Sequence, residues 1–202
     1  MKYKWLNKLE NTKLIVFFNG WGMDEAVVKH LEPDDYDVLM FYDYNNLETT
    51  FDFTILEHYK EKNLVAWSMG VMVGTLFQIS YKSKVAVNGT LKPIDVKFGI
   101  NPKIYDLTIN NFNEKSCEKF IYNMFNSRID ITISRNFEEQ KRELSVIKTY
   151  SANEDFIYDK IFISNNDKII PTKSQVAYWG IDANLDNGHC PFFEFKKWSE
   201  LL

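Results

Sequence analysis

The stretch Asn63-Leu64-Val65-Ala66-Trp67-Ser68-Met69-Gly70 decides the fold, because a largely apolar run ends in a serine between small residues. In a nucleophile elbow, the serine occupies a strained turn from strand to helix, and the positions two before and two after it must be small. Ala66 and Gly70 meet this requirement, with alanine replacing the more usual glycine. The same pattern also fits an ordinary tight turn. As an elbow, it predicts a strand, a sharp turn at Ser68, a helix, and covalent acyl chemistry.

Apolar runs recur along the chain with helical patterns between them, which is typical of a mostly parallel sheet covered by helices on both faces. The runs that predict strands are Leu14 to Phe18, Asp37 to Tyr44, Leu64 to Trp67, Lys84 to Val87, Lys160 to Ser164 and Ile181 to Leu185. Helical patterns start at Asp24 and cover Phe51 to Lys60, Val71 to Ser80 and Phe192 to Leu202. The expected fold class is α/β, in a single domain spanning residues 1–202.

Between residues 101 and 149 the alternation of strands lapses, and two amphipathic helical patterns take over, Glu114 to Phe125 and Phe137 to Ile147. Periodicity alone fits ordinary crossover helices as well as a cap over the carboxyl edge of the sheet. An insertion between the penultimate strands would overhang the elbow. We therefore interpret residues 101–149 as a helical cap insertion.

Composition and charge exclude several classes of protein. Aromatic residues make up 16% of the chain, which argues against disorder, and a net charge of −4 gives no reason to expect a nucleic-acid partner. No stretch has transmembrane length, and Met1 to Leu9 alternates charged and apolar residues where a signal peptide would need an apolar run. Cys117 and Cys190 follow neither metal nor redox spacing, which indicates free thiols in a reducing compartment. We expect a soluble cytoplasmic protein without membrane contacts.

A serine nucleophile needs a histidine to take its proton and a carboxylate to orient that histidine. The chain has three histidines. His30 and His58 lie within helical patterns, whereas His189 lies in a loop after the last predicted strand, which makes it the candidate base. The acid should follow an intervening strand, and Asp167 does so. Asp95 is a weaker candidate for the same role.

The tetrahedral intermediate of acyl transfer needs two hydrogen-bond donors for its oxyanion. One is expected from the backbone N–H of Met69, which follows the serine and begins a helix. The other is expected from the loop after the first core strand, at Trp21 between Gly20 and Gly22. The indole ring of Trp21 would also form a wall of the acyl pocket.

Taken together, these residues resemble the BioG-type pimeloyl-[acyl-carrier protein] methyl ester esterases of biotin biosynthesis, which are short α/β-hydrolases. The resemblance covers nearly the whole chain. It rests on Asn19-Gly20-Trp21-Gly22-Met23-Asp24, Tyr42-Asp43-Tyr44, Val65-Ala66-Trp67-Ser68-Met69-Gly70-Val71, Ala86-Val87-Asn88-Gly89-Thr90, Phe98-Gly99-Ile100, Asn166-Asp167-Lys168-Ile169 and Gly188-His189. It implies a compact α/β-hydrolase fold with a mostly parallel central sheet and a helical cap.

The resemblance also implies roles for the site residues: Ser68 as nucleophile, His189 as base, Asp167 as acid, and Trp21 and Met69 as oxyanion donors. The implied reaction hydrolyses the methyl ester of pimeloyl-[acyl-carrier protein] to pimeloyl-[acyl-carrier protein] and methanol, without a cofactor or metal.

The partner implied by the resemblance is an acyl carrier protein, and we expect the enzyme to be a monomer. Carrier proteins of this kind present an acidic helix, so cations on the outer face of the cap are candidate contacts, namely Lys115, Lys119 and Arg128. Two alternatives remain at this point. A general short-chain carboxylesterase would use the same triad on free esters, and a hydrolase-like binding module would keep the fold without catalysis.

Overall fold

A computed structural model describes all of residues 1–202 and contains one six-stranded sheet. Its strands are β1 (Lys2–Asn7), β2 (Lys13–Phe18), β3 (Tyr36–Tyr42), β4 (Glu61–Trp67), β5 (Ser83–Val87) and β6 (Lys160–Phe162). Their order across the sheet is β1-β3-β2-β4-β5-β6. Only β1 is antiparallel to its neighbour, which confirms the predicted mostly parallel sheet.

The edge strand β1 is not among the predicted strands. Its first residues alternate charged and aromatic side chains, Lys2-Tyr3-Lys4-Trp5, as expected of an antiparallel edge strand with one face toward water. It pairs along β3, from Lys2 opposite Tyr42 to Asn7 opposite Val38. β1 therefore covers the edge that β3 would otherwise expose.

The predicted last strand, Ile181 to Leu185, is wrong. Only an isolated bridge between Ser164 and Leu185 forms there. The side chain of Asn184 replaces one backbone hydrogen bond of a regular strand pair, because its Oδ1 accepts a hydrogen bond from the Ile163 N–H at 2.9 Å. An Asn side chain that bonds to backbone in this way competes with regular strand pairing.

The five α-helices are α1 (Met69–Val73), α2 (Pro102–Asn110), α3 (Glu114–Phe125), α4 (Phe137–Ile147) and α5 (Thr172–Trp179). The ranges of α3 and α4 coincide with the two predicted amphipathic helices. Together with α2 they lie between β5 and β6 in the chain. Neither α2 nor α5 is among the predicted helices. No helix of the chain combines the length and the apolar character that a membrane crossing requires.

The other predicted helices are largely short 3-10 turns. These turns are Glu25–Val27, Phe53–His58, Gly74–Leu76, Phe192–Glu194 and Trp198–Leu201. At two of them an aspartate side chain accepts a hydrogen bond from the backbone two residues on: Asp24 from the Ala26 N–H at 2.9 Å and Asp52 from the Thr54 N–H at 3.0 Å. Such local hydrogen bonds stabilise tight turns. An apolar spacing typical of a helix is therefore not enough to extend these turns into longer helices.

Strand β2 is buried on both faces and divides the hydrophobic core into two halves. Leu14, Val16 and Phe18 belong to one cluster, while Ile15 and Phe17 belong to the other. Fully burying a side chain of this size contributes about 1.5–3 kcal/mol. The two clusters therefore fix β2 and its neighbour β4 at the centre of the sheet, where β4 delivers Ser68.

Candidate active site

Ser68 follows β4 directly and has a φ of +58°, a conformation that costs a non-glycine residue about 1–3 kcal/mol. The turn also requires close approach between backbones. A Cβ added to Gly70 would lie 2.2 Å from the carbonyl oxygen of Phe18, and one added to Gly89 would lie 2.5 Å from that of Ser68. Strand, strained serine and helix thus occur as the sequence of the elbow predicts.

The structure brings Ser68, His189 and Asp167 into one hydrogen-bonded chain. Nε2 of His189 lies 2.8 Å from Oγ of Ser68, and Nδ1 of His189 lies 2.7 Å from Oδ2 of Asp167. All three residues are buried, with exposed fractions of 4%, 1% and 6% for Ser68, His189 and Asp167. With the proton on Nδ1, the imidazole can accept the serine proton at Nε2, which is the geometry of a Ser-His-Asp triad.

The carboxylate of Asp167 is held by three further donors. Its Oδ1 accepts the backbone N–H groups of Ile169 and Ile170, at 2.8 and 3.0 Å. Its Oδ2 accepts a hydrogen bond from Nε2 of Gln175, at 2.8 Å, besides the one from His189. Gln175 is fully buried on α5, and the sequence analysis assigned it no part in the site. These contacts fix the face that the carboxylate presents to His189.

The loop that carries His189 is fixed by Asn88, at the end of β5. The Asn88 side chain donates to the carbonyl oxygens of His189 at 2.9 Å and Gly188 at 3.2 Å, and to Oγ of Ser164 at 2.8 Å. Trp67 adds a hydrogen bond from its indole Nε1 to the His189 carbonyl oxygen at 2.8 Å. Asn88 lies in one of the stretches that carry the family resemblance, but the sequence analysis assigned it no role.

The remaining candidates lie outside this chain of hydrogen bonds. Asp95 accepts the backbone N–H groups of the turn that follows it, and these hydrogen bonds lower the pKa of its carboxyl. The ring of His30 stacks on Phe193, with 4.4 Å between ring centroids. His58 lies exposed at the end of a 3-10 turn. The structure therefore pairs His189 with Asp167 and leaves Asp95 apart.

Trp21 and Met69 both line the same cavity as Ser68 and His189. Neither backbone N–H has a hydrogen-bond partner within the protein, although both residues are buried. Both N–H groups are therefore free to donate, that of Met69 as one of the first N–H groups of α1, which have no partner within the helix. An oxyanion that forms beside Ser68 would supply an acceptor for both.

The cavity above Ser68 has a volume of about 340 Å³. Residues from α2, α3 and α4 form much of its wall, among them Ile104, Tyr105, Phe120 and Leu144. The ring of Trp21 packs edge-on against Phe120, with 4.9 Å between centroids. Trp21 is thus one of the residues that line this cavity. An apolar chain could extend from the serine along these side chains.

The three predicted carrier contacts lie together on the outer surface. Lys115 and Lys119 are exposed on α3, and Arg128 is exposed after its end. All three border one surface groove, whose apolar lining includes Ile121 and Ile131. Lys119 also lines the active-site cavity, so this side chain borders both the groove and the cavity. No group of three or more histidine, cysteine, aspartate or glutamate side chains is placed to hold a metal ion.

The geometry agrees with the comparisons with known proteins. The family model described as "Pimeloyl-ACP methyl esterase BioG" matches residues 1–201. The chain belongs to this family. A BioG crystal structure from Haemophilus influenzae is 33% identical and superposes with a TM-score of 0.89, covering 100% of this chain and 99% of that one. Fold and family are thereby established as those of BioG, an esterase family.

A second relative of this BioG family member is longer. The protein named malonyl-[acyl-carrier protein] O-methyltransferase from Bacteroides fragilis is 38% identical over 178 residues. The match covers 82% of this chain and 36% of that protein, so the chain spans about a third of that relative's length. MenH from S. aureus is only 13% identical but has a TM-score of 0.62, with 98% of this chain and 93% of that one covered. That likeness shows the fold alone.

Proposed function

We propose that this chain is a serine esterase that hydrolyses the methyl ester of pimeloyl-[acyl-carrier protein] during biotin biosynthesis. The observation that carries the proposal is the hydrogen-bonded chain from Ser68 through His189 to Asp167, buried at the base of an apolar cavity. Membership of the BioG family supplies the substrate class. The name of the Bacteroides relative also refers to a carrier-linked acid and a methyl group.

In the proposed mechanism, Oγ of Ser68 attacks the carbonyl carbon of the terminal methyl ester while Nε2 of His189 takes its proton. The oxyanion accepts hydrogen bonds from the N–H groups of Trp21 and Met69. The intermediate collapses, His189 protonates the departing methoxide, and methanol leaves. Water activated by His189 then hydrolyses the acyl-enzyme. The pimeloyl carboxylate that results is poorly solvated among apolar walls, which favours its release.

We propose further that residues 1–202 act as one domain in which residues 101–149 form the cap. The support is that α2, α3 and α4 supply the wall of the cavity opposite the elbow. An apolar wall at this place suits a methylene chain between the ester and the carrier. Burying each methylene group there contributes about 0.8 kcal/mol.

The carrier protein is proposed to dock at the groove bordered by Lys115, Lys119 and Arg128. None of these cations has an ion-pair partner in the chain, so all are free to meet an acidic helix. Lys119 borders both the groove and the active-site cavity, which supports a path for the prosthetic arm from the one to the other. We place the enzyme, as a monomer, in the cytoplasm with its carrier.

The decisive test is methanol release from methyl-pimeloyl carrier protein, measured for the wild-type chain and for Ser68→Ala. The wild type should release one methanol for each carrier molecule, and the variant should lose several orders of magnitude in kcat. A free methyl ester of the same acid serves as the comparison substrate. Equal kcat/KM on the two substrates would favour a general carboxylesterase, and full activity of Ser68→Ala would exclude serine catalysis.

A further inference from the structure

A second buried carboxylate lies close to the proposed oxyanion hole but belongs to neither the triad nor the cavity wall. Glu143, on α4, is fully buried. Its Oε2 accepts a hydrogen bond from Nη2 of Arg135 at 3.0 Å, and the same Nη2 lies 3.2 Å from Oδ1 of Asp43. Burial raises the pKa of Glu143, and the charge of Arg135 opposes that shift. A buried ion pair is costly to desolvate and is weak grounds for stability, so its retention calls for another reason.

The two backbone contacts of Glu143 suggest that reason. Its Oε1 accepts the Tyr44 N–H at 2.8 Å, and its Oε2 accepts the Gly22 N–H at 3.3 Å. Tyr44 follows β3, and Gly22 lies in the loop after β2 that carries Trp21. One side chain of α4 thus holds two loops at the carboxyl edge of the sheet, and one of them is the loop that would supply an oxyanion donor.

A neighbouring residue of α4 strengthens the link to this loop. The carbonyl oxygen of Gln140 accepts a hydrogen bond from the indole Nε1 of Trp21 at 2.8 Å. Gly22 has a φ of +70°, and a Cβ at this position would lie 2.9 Å from Oε1 of Gln140. Helix α4 therefore contacts the loop at two successive residues, Trp21 through its side chain and Gly22 through its backbone.

We propose that Glu143 is a positioning residue, which holds the loop at Gly22 so that the Trp21 N–H faces the oxyanion. This inference rests on the proposed esterase function. Through the hydrogen bond between Glu143 and the Gly22 N–H, the position of α4 on the sheet determines the position of the loop that supplies the Trp21 donor. Tyr44 contributes from the other side, since its hydroxyl donates to the carbonyl oxygen of Asn19 at 2.7 Å.

Glu143→Gln tests the role with little change in shape. The amide keeps one acceptor oxygen, and its NH2 group faces either Arg135 and the Gly22 N–H, at the place of Oε2, or the Tyr44 N–H, at the place of Oε1. In both orientations the side chain can no longer hold the two loops together. Complete loss of an oxyanion donor costs about 10²- to 10³-fold in kcat. Since displacing the loop weakens only one of two donors, we expect a loss of about 10- to 100-fold in kcat, with KM changed by less than about threefold.

The measurements are kcat and KM on a small p-nitrophenyl ester and the affinity for a trifluoromethyl ketone, which forms a tetrahedral adduct on Ser68. Rates are expressed per serine titrated with a fluorophosphonate, so that unfolded protein does not count. The ketone affinity of Glu143→Gln should fall by the same factor as kcat, because both report on the oxyanion. Tyr59→Phe is the matched control, since it removes a buried hydrogen bond to Oδ2 of Asp37 (2.7 Å) that involves neither α4 nor the loop that carries Trp21.

Two outcomes would overturn the inference: kcat of Glu143→Gln within twofold of wild type, or a fall in kcat without a matching fall in ketone affinity. An equal loss in Tyr59→Phe would also count against it, because it would indicate a general loosening of the fold. If Glu143→Gln does not fold, Gly22→Ala perturbs the same contact from the loop side and should show the same paired losses. Failure on the carrier-linked substrate would contradict the proposed function and leave this inference standing.

Discussion

Replacing Asp167 by asparagine tests the triad most directly, because the contacts around this side chain fix how an amide must lie. The two backbone N–H groups at Oδ1 cannot turn away and require an acceptor there, so the amide oxygen takes that place. The NH2 group then takes the place of Oδ2, where Gln175 can turn its own amide oxygen toward it, because that oxygen has no other partner. The NH2 group then faces Nδ1 of His189, formerly 2.7 Å from Oδ2. Two donors cannot pair. His189 must therefore carry its proton on Nε2, where it can no longer accept the proton of Ser68.

A change of this kind costs about 10⁴-fold in kcat in a serine protease, which corresponds to about 5.5 kcal/mol of transition-state stabilisation. We expect a similar loss here, with KM little changed, because the cavity wall is untouched. The acylation rate should be measured by stopped flow on a p-nitrophenyl ester. Asp95→Asn is the matched control and should keep wild-type rates. The assignment of the acid would be refuted if Asp95→Asn lost most of its acylation rate while Asp167→Asn kept a rate within tenfold of wild type.

Three further predictions concern the elbow, the core and the proposed docking groove. Gly70→Ala should lower the free energy of unfolding by at least about 1–3 kcal/mol in urea titrations, because its Cβ would meet backbone at 2.2 Å; unchanged stability would contradict the elbow geometry. Asp37 is fully buried, and although burial opposes its ionisation, hydrogen bonds such as that from Tyr59 hold its pKa below the usual value. The ionised carboxylate therefore stabilises the folded protein above its unfolded pKa of about 3.9, and this stabilisation is lost as pH falls through the folded pKa. The Tm of Asp37→Asn should lie below that of the wild type at neutral pH, and the difference should become smaller below about pH 4. A difference in Tm that does not change with pH would refute this. Replacing all three cations of the proposed docking groove by glutamate should raise KM for the carrier-linked substrate, with a smaller rise at high salt, and should leave KM for a free ester unchanged. Equal losses of activity on both substrates would indicate damage to the cap. These cations are Lys115, Lys119 and Arg128.

The elbow and the fold class could be predicted from the sequence because their causes are local. A serine at positive φ needs small neighbours at fixed offsets, and Ala66 and Gly70 meet that need whatever lies elsewhere. His189 and Asp167 could be selected because the order of serine, acid and histidine leaves few candidates. The side chains that orient the triad, such as Asn88, could not be predicted from the sequence. Asn88 meets His189 across 101 residues of chain, and no periodicity carries a contact of that kind.

Helix α5 was not predicted, although the sequence contains signals for its two ends. Helix α5 follows Pro171 and ends at Trp179, directly before Gly180, which adopts a left-handed φ of +69°. A proline at the start and a glycine just past the end are typical of a helix. Predicting α5 would have placed Gln175 in the first turn of that helix, close in the chain to Asp167. The 3-10 turns are different, since tertiary packing decides whether a short apolar spacing becomes a helix.

The narrow attachment of β6 has a consequence for how the enzyme denatures. Only three residue pairs, from Val85 opposite Lys160 to Val87 opposite Phe162, join β6 to the sheet, and Asp167 and His189 both follow β6 in the chain. Ser68 instead follows β4, which is paired on both sides. Segments with few backbone bonds open at lower free energy than a sheet centre. In rising denaturant, esterase activity should therefore disappear before far-UV circular dichroism changes, while the serine still sits on an intact central sheet.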